Sequence, residues 1–167
     1  MDPAPIQALF RFNTFANESL REPLLAAGDE TARQPLDMWF GSVFSILAHV
    51  CGGEGTWLAR LRDRNATPQP LTGADFPSVE ALVERWRDFD AQWEAYVASL
   101  SAEMLDEEIV SRRRDGNAYV FKLWQPIIHI ANHSTEHRGH ATVAMTQLGI
   151  PHANQDFLDQ FRTPAPG

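Results

Sequence analysis

The segment HIANHSTEHRGH, residues 129–140, carries His129, His133, His137 and His140, four of the six histidines in the chain. On an α-helix a step of four residues turns about 400°, so successive histidines drift by about 40°. His129, His133 and His137 then share an arc of about 80°, and His140, three residues further on, swings back into it. Imidazoles at i and i+4 meet on one face and form a bidentate metal platform. Imidazole nitrogen suits zinc, nickel, copper and iron. The density of this line points to a metal site; the plain alternative is a histidine-rich helix of hydrogen-bonded side chains.

A metal held by protein needs a third ligand, and the remaining histidines are His49 and His152. His152 follows Gly149-Ile150-Pro151 and is expected in a loop. His49 lies midway along a second helical stretch, which favours it, although it sits about 120° from the centre of that stretch's apolar arc. Its own strip, Ser42, Ser45, Gly53 and Thr56, is made of small residues that let a partner helix approach. Room for that partner is also a reason for Gly52-Gly53, each of which costs about 1 kcal/mol in a helix interior. Three neutral nitrogens leave coordination positions open to water or substrate, the pattern of a catalytic metal. Glu54, on the apolar side of the same stretch, is the candidate catalytic carboxylate, accepting from Arg138 or a metal-bound water. Its alternative is simple burial with a partner. Cys51 points about 200° from His49 and reads as an apolar filler. With this single cysteine, no intrachain disulfide or thiolate cluster is available.

The elements that must position these residues are helical. Apolar spacing predicts helices over about 5–27, 36–62, 78–100 and 122–148. Gly28-Asp29 stops the first. Pro35 precedes the second and Asp37 is its expected cap. Residues 65–77 read as a loop, and Ser78 as the cap of the third helix. Between the third and fourth helices, Glu108-Ile109-Val110 and Ala118-Tyr119-Val120-Phe121 flank Asp115-Gly116-Asn117, which predicts a short hairpin or extended excursion. Pro126 falls in the first turns of the last helix, where proline is tolerated. Residues 151–167 form a tail. These features predict an all-α four-helix bundle in one domain spanning 1–167.

Composition narrows the partners. The chain has 167 residues, 14 Lys or Arg and 22 Asp or Glu, for a net charge of −8. An acidic surface repels phosphate backbones, so nucleic acid is not an expected partner. Arg112-Arg113-Arg114 reads as a solvated turn. No stretch reaches the ~18 apolar residues that cross a bilayer, and the first ten residues do not form a signal peptide. The expectation is a cytoplasmic protein with no membrane partner. The chain lacks HExxH and ExxH pairs, which disfavours zincin peptidases and ferritin-type di-iron sites.

Three segments carry a resemblance. FRFNTFANESL, FSILAHVCGGEGTWLARL and HIANHSTEHRGHATVAMTQLGIP resemble, in order and spacing, the first, second and last helices of the DinB/YfiT-like superfamily of bacterial metal-binding four-helix bundles. The last segment is the most specific. The resemblance implies a metal triad of His49, His133 and His137 holding zinc or nickel. His129 matches a frequent family histidine that is not a ligand and is assigned an orienting hydrogen bond. Glu136 stands where many members have histidine; it adds a negative charge near His137 or faces solvent. Arg138 is expected to pair with Glu136 or with an acidic residue on another helix. His140 is read as structural or surface. Asn13, Asn17 and Asn132 are expected to tie helix ends together in the core. The family includes thiol S-transferases that use low-molecular-weight thiols, and a thiol-dependent isomerase. It implies a homodimer and a metal-dependent transferase or hydrolase acting on a small molecule. The alternative is a non-catalytic metal-binding stress-response or dimerisation module.

Overall fold

The computed structural model describes residues 1–112 and 116–163. Four long helices dominate it: α1 (Ala4–Ala32), α2 (Val43–Arg62), α3 (Val79–Ala98) and α5 (Trp124–Gln147). A single turn, α4 (Ala102–Leu105), and a hairpin of β1 (Glu108–Arg112) with β2 (Ala118–Lys122) lie between α3 and α5. The hairpin is antiparallel, with Val110 opposite Val120. Residues 113–115, including Arg113 and Arg114 of the expected turn, lie outside the described residues. In the tail a short 3-10 helix spans Phe157–Phe161. No helix among the described residues is long and apolar enough to cross a membrane.

The helix ends follow local chemistry. Ser78 caps α3 by accepting from the Ala81 N–H at 3.2 Å. At the end of α5, Gly149 has φ +67°, and the Ile150 and Gly149 amides return to Met145 and Thr146 carbonyls, closing a Schellman motif. Two boundaries differ from the sequence expectation. Helix α1 breaks at Gly28 but resumes for another turn to Ala32. Helix α2 starts at Val43, capped by Ser42 instead of Asp37. Residues 34–42 form a loop because Gly41 adopts φ +73°, outside the helical region. Phe40, expected on the helix, therefore sits on that loop.

Each long helix packs against two others: α1 on α3 and α5, and α2 on α3 and α5. The apolar interior falls into two clusters. One gathers Leu20, Leu24, Phe44, Leu47, Trp86 and Met145. The other gathers Phe10, Leu58, Trp93, Val97, Ile127 and Ile130, with Phe10 stacked on Trp93 at 4.7 Å. On every long helix the residues between the clusters are polar and buried: Asn13, Asn17, Glu54, Asp90, Ser134 and Arg138. The bundle thus carries a charged layer across its middle.

That layer is closely hydrogen-bonded. Glu54 is 0% exposed. Its Oε1 accepts from Asn13, Asn17 and Ser134 at 2.8, 3.2 and 2.7 Å, and its Oε2 accepts from Trp86 Nε1 at 2.6 Å. Arg138 donates to the amide oxygens of Asn13 and Asn17 at 2.6 and 2.8 Å. Asn17 also donates to Asp90, which is paired with Arg21 at 2.6 Å. Burial lowers Arg138 to about 10, opposed by the charges of Glu54 and Asp90. Burial pushes Asp90 up, with the Glu54 charge adding to it and Arg21 opposing.

Candidate metal centre

The α2–α5 seam positions the chemistry. His49 projects from the middle of α2, and His133 and His137 from successive turns of α5. One nitrogen from each comes within 4.8 Å of the others. The Nε2 atoms of His49 and His133 are 3.1 Å apart, and the three ring centroids are 4.4–5.0 Å from one another. His152 lies elsewhere, 2.9 Å from Thr146 Oγ1.

Close approach at this seam has a visible cause in the glycine run of α2. A Cβ on Gly53 would lie 3.0 Å from His133 Cε1. Gly53 therefore makes room for the imidazole. Gly52 serves a different neighbour: a Cβ there would stand 2.1 Å from the carbonyl oxygen of Leu71. The pair answers two needs, one at the histidine cluster and one at the loop before α3.

The electrostatics keep the rings neutral. Burial depresses His49 and His137 below the ordinary histidine value. His133 falls to about 4, through burial first and then the neighbouring histidines. Glu136 is exposed, and its charge pulls His137 partly back. A neutral imidazole is the form that ligates metal. His133 Nδ1 is buried without a hydrogen-bond partner among the described residues. The polar capacity of that ring is directed at the cluster through Nε2, 3.1 Å from His49. Three converging neutral nitrogens, brought together where an apolar core would be cheaper, fit a borderline-soft divalent ion.

The other sequence candidates separate from the cluster. His129 is exposed, packs edge-on against Trp57 at 5.5 Å, and lies 6.1 Å from the His133 ring. The orienting hydrogen bond assigned to it is not made, since His133 Nδ1 has no partner. His140, expected to be structural or surface, is exposed and brings its Nδ1 within 3.3 Å of His137 Nδ1. It is the histidine placed to orient a neighbour. Arg138 does not pair with Glu136; its partners are Asn13, Asn17 and Thr135. Glu54 faces the core network and spends both oxygens there. Asn132 is exposed and outside the core, unlike Asn13 and Asn17. Cys51 is buried, and burial pushes its thiol far up.

Residues that the periodicity concealed complete the site. Phe40 lies 4.9 Å from the His49 ring and edge-on to His137 at 5.3 Å. Trp39, 97% exposed, stacks on Phe40 at 6.0 Å. The signal was present in the Pro35 and Gly41 punctuation, which isolates this aromatic pair on a loop. A cavity of about 490 Å³ opens beside His49, walled by Phe40, Phe44, Ser45, Thr72 and Arg33.

A model of the DinB family matches residues 3–165. Protein DinB of Bacillus subtilis (strain 168) is 25% identical over 157 residues, covering 89% of this chain and 89% of the relative. The match spans the four helices, the buried polar layer and the histidine seam together, and the chain belongs to the DinB family.

Proposed function

We propose that this DinB-family protein holds one divalent transition metal, zinc or nickel, through His49, His133 and His137. With it the protein acts on a small molecule as a thiol-dependent S-transferase or a hydrolase. The observation that carries this reading is the convergence of three neutral imidazoles within 4.8 Å at a partly exposed seam beside a cavity. Bound there, the metal supplies a Lewis acid with open positions that favours the thiolate form of a low-molecular-weight thiol. The chain's own contribution is positional. Phe40 shields one side of the rings, Gly53 admits His133, and His140 meets His137 from the solvent side. Cys51 is buried, so the reactive thiol comes from a cosubstrate.

Elemental analysis of the purified protein tests the site, with wild type compared against His133→Ala and His49→Ala. Wild type is expected to carry about one equivalent of transition metal, and each variant to lose it. A metal-replete wild type without metal defeats the reading. For the reaction, cobalt-substituted protein should change its spectrum on addition of thiol, and a screen of thiols with electrophiles and epoxides should find turnover.

A second reading, a metal brace in a non-catalytic module, draws on one observation: Glu54, the candidate general base, is committed to the core. A brace resists chelators, and its removal unfolds the protein. A catalytic ion leaves without collapse. The homodimer and the cytoplasmic setting belong to the same proposal, and light scattering of the purified protein checks the former.

A further inference from the structure

The cavity beside His49 is also lined by a cation, Arg33. Arg33 follows the last turn of α1, and its guanidinium carbon lies over the Phe44 ring, 3.5 Å from the ring centre. Its Nε donates to Asp29 Oδ1 at 2.9 Å, and its Nη2 to the Phe76 and Pro77 carbonyls at 3.1 and 3.3 Å. Those contacts fix the plane of the group and leave Nη1 without a partner among the described residues. Asp29 is itself tied down, its Oδ2 accepting from the Val79 N–H. The guanidinium, ion-paired with Asp29, lines the same cavity as a cluster histidine. With Nε and Nη2 engaged, Nη1 is the atom that can donate a charge-assisted hydrogen bond to one carboxylate oxygen. A volume of about 490 Å³ suits a small organic ligand.

We propose that this cavity is a substrate subsite for a small thiol bearing a carboxylate. Arg33 holds the carboxylate, Ser45 and Thr72 line the passage, and the sulfur is directed at His49, His133 and His137. The inference rests on the thiol-dependent reading above and adds to it the charge class of the cosubstrate.

The test compares 3-mercaptopropionate with 3-mercaptopropanol, which has the same thiol and no charge. Binding to cobalt-loaded protein is read from the absorption spectrum. Nitrogen-15 NMR of zinc-loaded protein reads the Arg33 Nε–H and the Thr72 and Gly73 amides. The acid is expected to bind about tenfold more tightly, the size of one charge-assisted hydrogen bond, and to move the Arg33 signal where the alcohol does not. Arg33→Met abolishes that preference, and Arg33→Lys retains part of it. Equal affinity of the two thiols in wild type, or an unchanged preference in Arg33→Met, overturns the subsite. The wild-type comparison needs no variant, so it stands if Arg33→Met does not fold. A third probe, 3-hydroxypropionate, separates the two proposals. If it moves the Arg33 signal while no thiol alters the cobalt spectrum, the carboxylate subsite stands and the thiol chemistry falls. If no carboxylate moves that signal, the subsite is wrong whatever thiols do.

Discussion

The buried charged layer and the histidine cluster meet on α2 and α5, one residue apart. Glu54 and Ser134 face each other across α2 and α5 inside the bundle, while Gly53 and His133 meet at its edge. In the layer, Glu54 receives four side-chain donors and Arg138 finds three acceptors, and Asp90 pairs with Arg21, although Arg138 Nε and Arg21 Nη1 lack a hydrogen-bond partner among the described residues. In the cluster the nitrogens face mainly one another, and His133 keeps one buried nitrogen unmatched. Buried polar groups cost free energy unless paired. The layer, whose carboxylates and guanidiniums answer one another or the amides between them, therefore reads as architecture, and the cluster, three imidazoles turned on one another, as a place for a cation. Both sets are polar and both keep unpartnered buried atoms; what tells them apart is that the layer joins donors to acceptors and opposite charges, whereas the cluster gathers three like nitrogens.

Removing the hub of the layer should have the largest effect. Glu54→Ala strands Asn13, Asn17, Trp86 and Ser134 and takes from buried Arg138 the larger of its two opposing charges, leaving Asp90, so stability should fall by about 3–5 kcal/mol. Urea unfolding measures it; a loss no greater than for a surface substitution would erase the distinction drawn here. The cluster should respond in the opposite way. His133→Ala should eliminate metal uptake while changing metal-free stability by only about 1 kcal/mol, read by elemental analysis beside the same urea curves.

Gly53→Ala alters the seam where layer and cluster adjoin. Alanine raises helix propensity by about 1 kcal/mol, yet its Cβ would press on His133 Cε1 from 3.0 Å. Metal affinity should drop on the order of tenfold with the helix intact, as competition with a chromophoric chelator would show. Tighter binding would mean that Gly53 does not shape the site.

A smaller effect comes from pH. His133 is depressed to about 4 by burial and its histidine neighbours, from an ordinary value of 6.5. Between those values the unfolded chain binds more protons than the folded one, so metal-free stability is lost as pH falls through that window. Thermal midpoints of metal-free protein should decline from pH 6.5 towards 4, and less so for His133→Asn. The smallest effect is at Cys51. Its buried thiol, with its ionisation pushed far up, should ignore alkylating reagents until the protein unfolds; rapid native labelling would refute that burial.

Much of this molecule is written in local pattern. The apolar spacing of four segments, the Ser78 cap, the Gly149-Ile150-Pro151 stop and the hairpin flanking Gly116 are consequences of backbone geometry and side-chain type over a few residues. So was the shared arc of His133 and His137, because one helix determines it. Other features required the assembled bundle. That Glu54 belongs to the core, that His140 and not His129 touches a cluster histidine, and that Phe40 leaves the helix to shield His49 all depend on which faces meet. Helical periodicity extends through Phe40, whereas the loop forms because Gly41 takes a positive φ and Ser42 captures the Ser45 amide. The sequence alone determined which residues share a helix face. Tertiary structure alone decided which buried polar groups of different helices are matched, because those partners lie from 32 to 125 residues apart and only packing brings them within reach.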